Sequence, residues 1–202
     1  MERKSMDLEP GRLDRHASSS WEIPPNTAIA RIPEMKWLIN TIMERALTRG
    51  DYVLSGGIRS DYYIDKFRLF SDPLVLRRIT RLFTPIVSEL NPDLIAGTEL
   101  GGVILATSLS QMTNTPMIVV RKSPKGYGAF ADEYVEGGFS PGQRVLLLED
   151  VVTSGGEVLA AKLRLEELKL HVDVYAVINR GLAPVKALVQ FALPRDAAKT
   201  EN

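Results

Sequence analysis

Val145-Leu-Leu-Leu-Glu-Asp-Val-Val-Thr-Ser-Gly-Gly-Glu157 sets an unbroken apolar run against two adjacent carboxylates, then a turn of small residues, then the start of a helical pattern that continues to Lys169. Four consecutive apolar residues with no polar alternation are what a strand buried on both faces requires. Outward from this stretch the same alternation repeats. Leu94-Ile-Ala96, Met117-Ile-Val-Val120 and Val172 to Ile178 read as strands, and Ala187 to Phe191 as a last edge strand. Between them, Pro33 to Leu47 (stopped by Gly50), Pro73 to Leu90 and Gly102 to Met112 carry apolar residues at helical spacing. Tyr52-Val-Leu54 and Tyr62-Tyr-Ile64 form short strands around Gly56-Gly57. Doubly buried strands alternating with amphipathic helices predict an α/β fold with a central, mostly parallel sheet flanked by helices. Ligands of such sheets bind beyond the carboxyl ends of the strands.

Residues 1–32 are polar and broken by prolines and serines, so they are expected to form a flexible extension, with Trp21 and Ile23 docking on the body. The body is expected over 33–193 and a polar tail over 194–202. The chain has 202 residues, 25 basic against 25 acidic side chains, two histidines and no cysteine. That balance removes the general electrostatic case for a nucleic-acid binder, and the cysteine count removes disulfides, thiolate nucleophiles and Cys-based metal sites. The apolar runs are too short to span a bilayer and the first residues lack a signal-peptide core, so a cytoplasmic location is expected. His16 and His171 have no catalytic context and are assigned to the surface.

Three strand ends carry chemistry. After Glu149 and Asp150, the turn from Val151 through Val152, Thr153, Ser154, Gly155 and Gly156 to Glu157 offers backbone N–H groups and hydroxyls at a helix N-terminus, which suits a phosphate. The carboxylates would repel that phosphate, so they fit hydroxyls further along the same ligand, as in a ribose 5-phosphate. The competing reading is a tight turn capped by Thr153 or Ser154, with both carboxylates solvated. After Val120 comes Arg121-Lys-Ser-Pro-Lys-Gly-Tyr-Gly128, three cations with no acid among them, on a loop extending to about Gly142 that could close over a polyanion. Within it, Gly126-Tyr-Gly-Ala-Phe-Ala131 matches a dinucleotide fingerprint, but it lies after Pro124 and lacks room for the required helix. After Ile178, Arg180 faces the same edge of the sheet, and its planar fork suits a carboxylate or a salt bridge.

The stretch from Val145 to Gly156 resembles the phosphoribosyl-pyrophosphate (PRPP) motif of the type I phosphoribosyltransferases. Arg121-Lys-x-x-Lys-x-Tyr-Gly, the segment Tyr52 to Asp65 and Arg180 are similar to the orotate branch of that family. The resemblance spans about 33–193 and implies the type I phosphoribosyltransferase fold, with a small hood formed by N-terminal segments. It further implies a Mg2+-dependent pentosyl transfer from PRPP to orotate, giving orotidine 5-monophosphate in pyrimidine (UMP) biosynthesis. It implies a homodimer in which the basic loop reaches the neighbouring site. Glu149, Asp150 and Lys125 are then the expected catalytic residues. PRPP is expected on Arg121, Lys122, Lys125, Tyr127 and the whole segment from Glu149 to Glu157. Orotate is expected on Thr153, Arg180 and Tyr63, and Mg2+ on PRPP itself, with no protein metal site. Three residues depart from the pattern: Ser55 and Leu100, where some members carry Lys, and Tyr127, where His is common. Alternatives are a phosphoribosyltransferase for a purine or uracil, which would not need Arg180, and a non-catalytic PRPP-binding regulator.

Overall fold

A computed structural model describes residues 21–24, 31–54, 57–128, 133–181 and 183–191. In chain order the elements are β1 (Trp21–Glu22), α1 (Ile32–Arg45), β2 (Leu47–Val53), β3 (Arg59–Ile64), α2 (Phe67–Phe70), α3 (Pro73–Arg81), α4 (Thr84–Leu90), β4 (Leu94–Thr98), α5 (Glu99–Thr113), β5 (Met117–Val120), β6 (Val135–Glu136), β7 (Arg144–Val152), α6 (Gly156–Glu167), β8 (His171–Asn179) and β9 (Lys186–Phe191). Seven strands form one sheet in the order β1-β9-β8-β7-β4-β5-β6, and β2 with β3 makes a separate antiparallel pair. The inner pairs β9-β8, β8-β7, β7-β4 and β4-β5 are parallel, and both outer pairs are antiparallel. The α/β architecture expected from the alternation is present. No helix among the described residues is long and apolar enough to cross a membrane.

The apolar run of β7 is shared between two cores. Leu146 and Leu148 pack on one face with Ile95 and the α5 residues Leu105, Ala106 and Leu109. Val145 and Leu147 pack on the other with Leu94, Ala96 and the α6 residues Val158, Ala161 and Leu165. Successive side chains of a strand point to opposite faces, so a strand covered on both sides has no position left for a polar residue.

Four sequence expectations are corrected. Pro73 to Leu90 is two helices, because Pro85 enters the first turn of α4 and cannot continue the ladder of α3. Gly50 does not stop α1, which ends at Arg45; it lies inside β2, where pairing with β3 shifts register between Arg49 and Tyr52. Residues 187–191 are not an edge, since Trp21↔Phe191 and Glu22↔Gln190 pair β1 against β9 and cover its free hydrogen-bonding groups. The loop after β5 is interrupted by β6, which covers β5 in the same way through Val120↔Val135. Trp21–Glu22 and Ile32 thus join the folded body upstream of residue 33, with Ile23 packed against the core. Residues 1–20 and the 194–202 tail lie outside the described residues.

From β4 the chain turns by α5 to β5 on one side, and later returns as β7 on the other. The connections therefore diverge between the carboxyl ends of β4 and β7. In a parallel sheet that divergence leaves a crevice, because no crossover covers it.

Candidate active site

A cleft of about 420 Å3 opens at this divergence, walled by the end of β7, the turn into α6, the start of α5 and the β2-β3 hairpin. The acidic pair lies within β7 itself. Glu149 is 9% exposed and Asp150 2% exposed, so the reading in which both are solvated is excluded. Each carboxylate is held by the local backbone: Asp150 N–H donates to Glu149 Oε1 at 3.0 Å, and Val151 N–H donates to Asp150 Oδ1 at 2.5 Å. The Thr98 hydroxyl, at the end of β4, donates to Glu149 Oε2. Lys66 Nζ lies 2.6 Å from Asp150 Oδ2.

This crowding sets the charge states. Burial pushes the Glu149 carboxyl up to about 7, and the charge of Asp150 adds to the rise against the opposing hydrogen bonds and Lys66. Burial alone would lower the Lys66 ammonium. Its contacts with Asp150, backed by Glu149 and Tyr63, lift it above the ordinary lysine value instead. Glycine at 101 is a steric requirement of the pair, because a Cβ there would lie 1.6 Å from Asp150 Oδ2.

The segment Val151, Val152, Thr153, Ser154, Gly155, Gly156 and Glu157 lines the cleft in full. Gly155 caps α6 with φ +83°, where an L side chain is strained, and a Cβ would lie 2.8 Å from the Ala183 side chain. No side-chain cap bond is made to α6 from Thr153 or Ser154, so the capping alternative is not what this turn does. At the start of α5, Glu99 takes φ +48°, and Leu100 stands 70% exposed on the cleft wall.

Arg180 reaches the cleft from just beyond β8 and is 2% exposed. Its Nε donates to the Tyr62 hydroxyl at 2.8 Å and its Nη2 to Ser60 Oγ at 2.8 Å. The guanidinium carbon sits 4.0 Å from the Tyr62 ring centroid. With Nε and Nη2 so engaged, the residue forms part of the cleft wall. Asn179 braces the turn beneath it, donating to the Ala183 and Val185 carbonyls and accepting from Gly181 N–H. Tyr62 and Tyr63 point to opposite faces of β3. Tyr62 is buried edge-on against Phe191, and Tyr63, 45% exposed, lines the cleft.

The basic loop is arranged differently from its sequence. Residues 121–128 contain no helix, consistent with rejecting the dinucleotide fingerprint; Ala129–Phe130 and Ala131–Asp132 lie outside the described residues. Arg121, Lys122 and Lys125 are not an uncompensated cluster. Glu136 takes both Arg121 and Lys125 at 3.1 Å, and Glu157 takes Lys122 at 2.5 Å. The acids come from β6 and α6, which are distant in sequence but folded against the loop. None of the three cations, nor the exposed Tyr127, is among the cleft-lining residues, although Lys122 is tethered to its rim through Glu157. Ser55 lies outside the described residues. Among the described residues no group of three or more His, Cys, Asp or Glu side chains is placed to hold a metal ion.

No family model matches the chain. It is, however, 41% identical over 144 residues to the orotate phosphoribosyltransferase of Thermococcus gammatolerans, covering 70% of this chain and 75% of the relative. It is 43% identical over 147 residues to that of Pyrococcus horikoshii, covering 71% and 78%. The crystal structure of orotate phosphoribosyltransferase from Aeropyrum pernix superposes with a TM-score of 0.63 at 27% identity, covering 76% of this chain and 92% of that one. The chain belongs to the orotate phosphoribosyltransferase family.

For this family member, motif reading located the acidic pair, the turn and Arg180, but passed over the residues that hold them. Thr98, Lys66, Ser60 and Tyr62 each touch one of those groups from another element. Thr98 had a usable signal, since it ends a buried strand just before a glycine turn. Lys66 had none, because a lysine after Ile64-Asp65 is indistinguishable from a surface residue until the hairpin folds over β7.

Proposed function

We propose that this orotate phosphoribosyltransferase family member transfers the 5-phosphoribosyl group of PRPP to orotate, releasing pyrophosphate and forming orotidine 5-monophosphate in pyrimidine biosynthesis. The observation that carries this reading is one cleft that combines a buried acidic pair, a small-residue turn at a helix N-terminus and a buried arginine. The turn from Val151 to Gly156 takes the 5-phosphate through its N–H groups and the α6 dipole. Glu149 and Asp150 accept from the ribose hydroxyls. Arg180, held by Tyr62 and Ser60, presents its guanidinium to the orotate carboxylate, with Thr153 and Tyr63 beside the base.

The bond from ribose C1 to the pyrophosphate oxygen breaks as the bond to a ring nitrogen of orotate forms, and the proton of that nitrogen passes to the departing pyrophosphate. The carbon carries oxocarbenium character between the two. Charge then grows on pyrophosphate, and Arg121, Lys122 and Lys125 stabilise it there. To do so they exchange Glu136 and Glu157 for the leaving group. Tyr127 contributes a hydrogen bond, not a charge. Mg2+ would be held by the oxygens of PRPP and would neutralise charge on the leaving pyrophosphate, since the described residues place no group of three or more acids or histidines to take it. The chain works as a cytoplasmic homodimer, in which the loop reaches the neighbouring site.

The test is the purified protein with Mg2+ and PRPP, offered orotate, uracil and purine bases in turn. Orotate consumption that requires PRPP supports the reading, and turnover of a different base in its place overturns it. Arg180→Gln is expected to raise the orotate KM at least about tenfold with the PRPP KM little changed.

A further inference from the structure

The cleft has a charge problem. Its described wall carries Glu99, Glu149, Asp150 and Glu157 against two cations, Lys66 and Arg180. A ligand bearing a phosphate and a pyrophosphate must enter that field. Arg180 is committed to Tyr62 and Ser60, on the hairpin side. Lys66 is the lining cation that meets the acidic pair.

Its position is built, not incidental. Lys66 is the residue preceding α2, directly after β3 and Asp65, and its side chain is 29% exposed. Asp65 N–H donates to the Ala46 carbonyl at 2.8 Å, which fixes the path of the backbone there. Asp150 cannot relax elsewhere, because Oδ1 is taken by Val151 N–H and Oδ2 is pressed against Gly101. The ammonium at 2.6 Å is the charge partner of Oδ2, a buried oxygen that has no hydrogen-bond donor of its own among the described residues. Without it, the buried Asp150 carboxylate, crowded by Glu149, would face an incoming polyanion with Arg180 on the hairpin side as the other cation of the described wall, and an unpaired buried charge is what a low-dielectric site tolerates least.

We propose that Lys66 is a positioning residue for phosphoribosyl transfer: it holds the Asp150 carboxylate in place for the ribose hydroxyls and supplies the counter-charge that admits PRPP. The proposal rests on the reading of the cleft as a PRPP site. It makes Lys66 a link between the hairpin and the acidic pair, so that the hairpin must be seated before PRPP binds well.

Calorimetric titration of PRPP with Mg2+ into the full-length protein tests it, alongside steady-state kinetics. Lys66→Met is expected to weaken PRPP binding at least about tenfold, while Lys66→Arg stays within about threefold of wild type. The orotate KM is expected to hold within about twofold, separating this effect from general damage. Because Lys66 acts through Asp150, the Lys66→Met/Asp150→Asn double variant should bind PRPP within about twofold of Asp150→Asn alone. Lys66→Gln, which keeps a polar side chain, serves if the Met variant fails to fold. PRPP affinity unchanged by loss of the ammonium, or losses that multiply in the double variant, would overturn the proposal. Wild-type protein that binds PRPP but does not consume orotate overturns the proposed reaction alone, and wild type that binds no PRPP overturns both.

Discussion

The Arg180 guanidinium donates to the Tyr62 hydroxyl at 2.8 Å across a sequence separation of 118 residues, and its carbon lies 4.0 Å from the centroid of the same ring. One tyrosine therefore holds the arginine by two contacts, and joins the hairpin to the end of β8. A buried arginine without such a partner would carry an uncompensated desolvation cost.

Tyr62→Phe keeps the ring and removes the acceptor. It is expected to cost about 2 kcal/mol of stability, as for a buried hydrogen bond to a charged group. The orotate KM should rise several-fold while PRPP binding is retained. Denaturant melts with two-substrate kinetics check this, and an equal loss for both substrates would contradict it.

The raised Glu149 carboxyl has a definite consequence for stability. Its ordinary value is 4.5 and its folded value about 7, so between these the folded chain binds more protons than the unfolded one. Stability from this group is fully present below about 4.5 and is lost as pH rises through 7. Glu34, Asp72 and Glu136 are shifted downward by arginine or lysine partners, and they act in the opposite sense. The measurement is therefore a difference. Wild type minus Glu149→Gln, followed by denaturant unfolding from pH 5 to pH 8, should decline across that interval. A flat difference would mean that Glu149 titrates at its ordinary value.

Gly101→Ala places a methyl group where Asp150 Oδ2 now lies. The carboxylate must leave Lys66 or α5 must shift, and overpacking of this kind costs about 1–3 kcal/mol. PRPP affinity should fall by more than stability alone explains. Direct binding on protein that is still folded separates the two.

Lys125→Ala should cut turnover at least about tenfold while moving the melting temperature by less than about 3 °C, since its ion pair is with a half-buried carboxylate that Arg121 also holds. A matching fall in both would mean that the Lys125–Glu136 contact is structural.

What the sequence by itself determined is local in origin. Val145–Leu148 reads as a doubly covered strand, because four apolar residues in succession, followed by a turn of small residues, leave no solvent face. The small residues after Asp150 can only be a turn that opens a helix. From those periodicities came the α/β class and the edge of the sheet that binds; the roles expected of Glu149, Asp150 and Arg180 came from the resemblance to the type I phosphoribosyltransferases. Pro85 could have been read as the break between α3 and α4, but a continuous apolar spacing masked it.

Only the tertiary structure decided the charges. Glu136 and Glu157 neutralise the basic loop, and Lys66 meets Asp150, through contacts between elements 11 to 84 residues apart. Trp21–Glu22 likewise becomes sheet through a strand at the other end of the chain. Coulomb and hydrogen-bond energies depend on distance in space and on burial. Neither quantity is written along the chain until packing brings β3, β4, β7 and β8 around one cleft.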